Sequence, residues 1–171
     1  MALMEVKTYP DPVLRKETEP IETFDEDLEK LVQDMAETMY ANDGVGLAAP
    51  QVGLSKKLVI LDVGESEDRG RQLLVLANPK VVEGDGKIAW EEGCLSLPGM
   101  QVKVQRKAQV TVKAQNIHGE DMEVKGEELL AVALQHEIDH LKGKLIIDYA
   151  SPLKKRMLLK DYKKQTAEEQ S

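Results

Sequence analysis

A second cysteine is missing from this chain of 171 residues, and with it any internal disulfide. The fold must be held by its core alone. A chain of this length can manage that as one domain with short appendages, because it buries most of the apolar surface that its unfolded form exposes. Long apolar runs are missing too. No stretch approaches the roughly 20 residues of a membrane span, and the opening Met1-Ala2-Leu3-Met4-Glu5-Val6-Lys7 has no apolar segment of the kind a secretory leader needs. A cytosolic location is expected, with no membrane partner. Net positive charge is the third absence. A charge of -8 at pH 7 argues against a surface that grips DNA or anionic lipid as a whole. Basic residues gather instead near the C-terminus, where Lys154, Lys155, Arg156, Lys160, Lys163 and Lys164 are set against Asp161 alone. There is no internal repeat and no low-complexity tract.

What is present reads as alternating signals of helix and strand. Leu28, Leu31, Val32, Met35 and Met39 recur at helical spacing, so a helix is predicted over 25–40, closed by Asn42-Asp43-Gly44. Strand-like runs follow at 58–63, 73–77 and 81–82, with a polar loop at 65–71. Val110, Val112 and Ala114 alternate with polar neighbours, and Asn116-Ile117-His118-Gly119 turns the chain back toward Met122 and Val124. This period of two predicts an antiparallel hairpin with His118 solvated in its turn. A second helix is expected from about 126 to 141, stopped by Gly143. A third opens at Ser151-Pro152, with serine as cap and proline in the first turn. It carries Leu153, Met157 and Leu158 on one side and should end near 164, leaving 165–171 frayed. The order predicts an α+β fold in a single domain over 1–164. Its antiparallel strands pack around the second helix, with one helix before and a basic one after.

The chemistry is concentrated in Gln135-His136-Glu137-Ile138-Asp139-His140. Four helical residues turn the chain by about 400° and raise it about 6 Å, so His136 and His140 leave one face and can share an ion. Glu137 projects beside that ion, where a carboxylate can handle the proton of an activated water. An open catalytic site takes a third protein ligand. The extended pattern H-E-x-x-H-x-x-G-x-x-H is excluded, because Ile146 stands where its last histidine would be. Asp148 and Asp161 remain possible as downstream carboxylates. Upstream, Glu92-Gly93-Cys94-Leu95-Ser96-Leu97-Pro98 sets the lone cysteine between a glycine and a proline that should end regular pairing. Taken alone, Cys94 reads first as a buried apolar residue, with nucleophile and metal ligand as the alternatives.

A further segment, Gly44-Val45-Gly46-Leu47-Ala48-Ala49-Pro50-Gln51, superficially matches the dinucleotide pattern G-x-G-x-x-A. That pattern needs a strand before it and a helix after it. Here a helix precedes and Pro50 follows, so nucleotide binding is not expected. Small residues ending in an amide suit exposure of backbone to an extended ligand, with Gln51 donating a hydrogen bond.

Taken together and in this order, the three segments resemble the motifs of the peptide deformylases. The likeness extends to Tyr9-Pro10-Asp11-Pro12-Val13-Leu14-Arg15 and to Asp148-Tyr149-Ala150-Ser151-Pro152-Leu153-Lys154, and so spans nearly the whole chain. Gln101 departs from the arginine of some relatives, which touches only recognition of the peptide end. The resemblance implies hydrolysis of the formyl amide of N-formylmethionyl peptides, part of N-terminal methionine processing during protein synthesis. It implies a metal held by Cys94, His136 and His140, with Glu137 as general base and the Gln51 amide and Leu95 N–H as oxyanion donors. Iron(II) is the usual metal of such proteins, and zinc, nickel or cobalt can take its place. Gly44, Val45 and Gly46 would pair with the peptide, and Leu129, Val132, Ala133, Val45 and Trp90 would wall the methionine pocket. It also implies contact of the basic C-terminal helix with the ribosome. A monomer is expected.

Two other readings compete. One is a metallopeptidase cutting internal bonds with a carboxylate as third ligand; the other is a binding protein with a structural metal. Cys94→Ala separates the first from the deformylase reading: metal content of the purified variant should fall to background if Cys94 is a ligand, and stay stoichiometric if a carboxylate serves.

Overall fold

The structure, a computed structural model, describes residues 3–64 and 73–170. The polar loop expected at 65–71 lies outside the described residues. A first helix, α1 (Glu26–Ala41), is capped by the Asp25 carboxylate, which accepts from the Leu28 N–H. Three strands follow: β1 (Gly46–Ala48), β2 (Leu58–Leu61) and β3 (Leu74–Asp85). The runs expected at 73–77 and 81–82 are thus one strand, with register shifts in its pairing with residues 109–115. Next come a hairpin, β4 (Ile88–Cys94) and β5 (Leu97–Arg106), and a second, β6 (Gln109–Gln115) and β7 (Asp121–Glu127). Helix α2 (Glu128–Leu141) continues directly from β7, which holds Gly126 and Glu127 in the sheet. Helix α3 (Pro152–Gln170) closes the chain, with the Lys154 N–H donating to Ser151 Oγ. It does not end near 164: helix continues to Gln170, and the Gln165 amide reaches toward the Pro98 carbonyl at 3.5 Å.

Strands β1-β2-β3-β6-β7, in that order, form an antiparallel sheet in which β1 is an edge. β4 and β5 form a separate two-stranded sheet. The continuous apolar run of β2 is explained by burial on both faces. Val59 and Leu61 face one core with Ala131, Leu134 and Ile138 of α2, whereas Leu58 and Ile60 face another with Val32, Met35 and Met39 of α1. A third core lies beneath the β4–β5 hairpin, where Val102 and Val104 meet Leu145, Ile147 and Tyr162. Fully burying one such aliphatic side chain contributes about 1.5–3 kcal/mol.

The segment before α1 ties distant parts together. The Lys7 N–H donates to the Gln51 carbonyl (2.6 Å) and the Tyr9 N–H to the Ser96 carbonyl (2.9 Å). Arg15 grips Asp148 through two nitrogens (2.6 and 3.1 Å) and reaches the Gly143 carbonyl just past α2 (2.9 Å). Gly143 is required there: its φ is +71°, and a Cβ would come within 2.9 Å of the Arg15 carbonyl oxygen.

Candidate active site

Helix α2 directs His136 and His140 from one face, as the four-residue spacing demands, and their Nε2 atoms lie 3.3 Å apart. Cys94 closes the group from the end of β4, its Sγ 3.5 Å from His140 Nε2. One ligand atom from each of the three residues lies within 4.8 Å of the others. The other candidates are elsewhere. Asp148 is engaged by Arg15, Asp161 is exposed on α3 and His118 is exposed in the β6–β7 turn. Pro98 does not end the pairing either. The ladder passes from Cys94↔Leu97 to Gly93↔Gln101, so residues 98–100 bulge out and the strand resumes.

His136 is aimed by a partner that the sequence did not reveal. Its Nδ1 lies 2.8 Å from Glu92 Oε1, which seats a proton on Nδ1 and leaves Nε2, the nitrogen nearest His140 Nε2, as the atom whose proton an ion would replace. Glu92 is in turn held by Arg106, with Nε–Oε2 and Nη2–Oε1 both 2.8 Å. Burial works against the Glu92 charge, but Arg106 and His136 outweigh it and keep the carboxyl below its usual range. Burial also opposes charge on His136, yet Glu137, Cys94 and Glu92 together hold that imidazole well above its ordinary value. His140, buried beside the charge of His136, is pushed well below. The two rings therefore do not both carry charge, and His140 presents a free lone pair.

Glu137 is 3 % exposed, with Oε2 4.0 Å from His136 Nε2. Burial pushes its carboxyl up to about 7, against the pull of His136. Oε1 is buried and has no hydrogen-bond partner among the described residues. Gln51, 1 % exposed, accepts from the Ala48 N–H through Oε1 (2.9 Å). That bond turns its NH₂ toward Ser96 Oγ (3.2 Å) and Cys94 Sγ (3.6 Å).

A cleft of about 670 Å³ opens over these groups. Gly44, Val45, Gly46, Trp90, Leu129, Val132 and Ala133 all line it, as do Gln51, Leu95, Cys94, His136 and Glu137. His140 is set behind, 2 % exposed. Val132 and Ala133 are buried in the wall; Val45 and Trp90 stand more open, at 42 % and 37 %. The glycines at 44 and 46 have a packing reason beyond access to backbone. A Cβ on Gly44 would come within 2.9 Å of Leu95 Cδ1, and one on Gly46 within 2.8 Å of Glu137 Cγ and Cδ.

One sulfur and two imidazole nitrogens converging on a point, with an unpartnered carboxylate beside them and a cleft on one side, fit a divalent ion that keeps an open position. Fold and donor set together define a metal-dependent hydrolase. A family model described as polypeptide deformylase matches residues 3–156. Peptide deformylase of Thermodesulfovibrio yellowstonii is 48% identical over 163 residues, covering 95% of this chain and 98% of that one. Peptide deformylase of Desulfotalea psychrophila is 49% identical over 164 residues, with 96% and 97% covered. Among solved structures, a peptide deformylase from Legionella pneumophila superposes with a TM-score of 0.92 at 45% identity, covering 98% of each chain. The chain belongs to the peptide deformylase family. It is an enzyme that removes the formyl group from the formylmethionine at the start of new peptides, giving formate and a free amino terminus.

Gly46→Ala tests how tightly this site is built. The added methyl must displace Glu137, and a misplacement of about 1 Å can cost about 100-fold in rate. The expected result is a fall of that order in kcat with metal content unchanged, measured by formate release and elemental analysis.

Proposed function

We propose that deformylation runs on Cys94, His136 and His140 as metal ligands, with Glu137 as the proton carrier. The observation that supports this most is the unpartnered, buried Glu137 Oε1 beside the convergent imidazole nitrogens. A divalent ion held there supplies Lewis acidity, which acidifies water and polarises a carbonyl. Glu137 takes the proton of the attacking water and returns it to the departing amine nitrogen. The burial of Glu137, which favours the protonated form, and its place beside the ligands suit it to both transfers. The oxyanion developing at the formyl carbon is met by the Gln51 NH₂, already aimed by Ala48, and by the Leu95 N–H. One such donor lowers the barrier by about 2.7–4 kcal/mol.

The formylmethionyl peptide lies extended along the free edge of β1, where the backbone of Val45 and Gly46 pairs with it as an added strand. Gly44 lets Leu95 pack against that edge. The methionine side chain enters the apolar wall of Leu129, Val132 and Ala133, with Val45 and Trp90 at its mouth. Iron(II) is the proposed resident ion, and zinc, nickel or cobalt suit the same ligands. The chain works as a monomer in the cytosol, during synthesis of its substrates. No helix among the described residues is long and apolar enough to cross a membrane. Lys154, Arg156, Lys160, Lys163 and Lys164 are exposed on α3 and face ribosomal RNA near the point where new chains emerge. Removing α3 entirely would be a poor test of that contact, since Tyr162 is buried and donates to the Tyr9 carbonyl at 2.8 Å.

Anaerobically purified protein should release formate from formyl-Met-Ala-Ser and not from acetyl-Met-Ala-Ser, and Glu137→Ala should lose that release while keeping its metal. Metal-loaded protein without formate release would overturn the assignment. Aeration should remove the activity and fresh ferrous ion should restore it; full activity after prolonged aeration would exclude iron. Reversing Lys154, Arg156 and Lys160 to glutamate should weaken ribosome co-sedimentation in a salt-dependent way and leave hydrolysis of short peptides unchanged.

A further inference from the structure

Beyond Glu92, the Arg106 guanidinium has a further set of contacts that no step of the reaction uses. Its Nη1 donates to Asp139 Oδ2 (2.6 Å) and to the Tyr149 hydroxyl oxygen (3.1 Å), while the Tyr149 O–H donates to the same Asp139 oxygen (2.5 Å). The three groups form a closed ring of hydrogen bonds. The Tyr149 ring is also gripped on its π surface: Arg106 Cζ lies 4.7 Å and Lys144 Nζ 4.3 Å from its centroid. Tyr149 ends a short 3₁₀ turn (Ile146–Tyr149), and its neighbour Asp148 is held by Arg15 and by the Leu145 N–H (2.9 Å). The turn is therefore held at the residue just before Tyr149 as well.

The geometry points to Tyr149 as a positioning residue for the metal centre, acting through Arg106 and Glu92 on His136; this rests on the ligand assignment proposed above. The physical reason is the number of contacts on one planar group. Glu92 occupies the Nε–Nη2 edge of Arg106, and the ring with Asp139 and Tyr149 occupies Nη1. Both ends of the guanidinium are thereby pinned, and so is the carboxylate that aims the His136 imidazole. Loss of the phenol hydroxyl opens the ring at Asp139, which stands between the two histidine ligands on α2. Arg106 then keeps Glu92 and an Asp139 that the phenol no longer holds, and His136 gains freedom that metal binding has to remove.

Removing a group that touches a metal-bound histidine typically weakens affinity by about 10–100-fold. Tyr149 stands further along the chain of contacts, so Tyr149→Phe should weaken it by about 3–10-fold. The substitution keeps the ring between Arg106 and Lys144. Zn²⁺ affinity is read by competition with a chromophoric chelator for wild type, Tyr149→Phe, Glu92→Gln and Cys94→Ala, each checked for native near-UV circular dichroism. The expected result is a graded loss, smallest in Tyr149→Phe, with KM for formyl-Met-Ala-Ser unchanged in the fully loaded variant. A role in folding alone would lower the denaturation midpoint and leave Zn²⁺ affinity of the folded protein at the wild-type value. That outcome overturns the inference, and so does wild-type affinity in Glu92→Gln, because the relay runs through Glu92. Should Tyr149→Phe not fold, Asp139→Ala opens the same ring, and wild-type affinity in that variant overturns the inference equally. If Cys94→Ala binds Zn²⁺ as tightly as wild type, the ligand assignment itself fails, which is a distinguishable result.

Discussion

The hydrogen bond between His136 Nδ1 and Glu92 ties together, at the metal ligands themselves, two bodies that have separate cores. His136 belongs to α2, which is seated on the five-stranded sheet; Glu92 belongs to the β4–β5 hairpin, which has its own core. The hairpin also carries Cys94. If the two bodies shifted by an ångström, the sulfur would leave the imidazoles, and no helical spacing could prevent it. A buried charge-assisted bond is costly to break once formed, because each partner would be left desolvated and unpaired. The site therefore depends on a contact that itself performs no chemistry.

The amino-terminal segment does the same work with backbone. Lys7 and Tyr9, two residues apart, take the carbonyls of Gln51, in the 3₁₀ turn after β1, and of Ser96, in the turn between β4 and β5. Arg15 then holds the end of α2. One short stretch of chain thus touches the turn after β1, the β4–β5 turn and the residue just past the end of the histidine helix.

How much of this was legible follows from the range of each interaction. The histidine pair, Glu137 and the wall residues Leu129, Val132 and Ala133 sit within three turns of one helix, so spacing alone places them together. Cys94 and Gln51 gained meaning only in combination, because their neighbours in space are distant in sequence. Glu92 and Arg106 escaped notice although a signal existed. Arg106 is in phase with the buried Val102 and Val104, while Gln101, Lys103 and Gln105 point outward. A charge on the apolar phase of a strand calls for a buried partner. The strand itself was obscured by Pro98 and Gly99, which lie in its bulge. Gly46 was legible as a small residue, but the steric reason, the side chain of Glu137 against it, needed the packing of α2 on β1.

Trp90 is the chain's only indole, and it stands part-exposed on the cleft wall rather than in any core. Its emission is therefore not diluted by tryptophans elsewhere. The protein carries a built-in optical gauge of how wet that wall is, so the filling and emptying of the cleft can be followed in real time without a label.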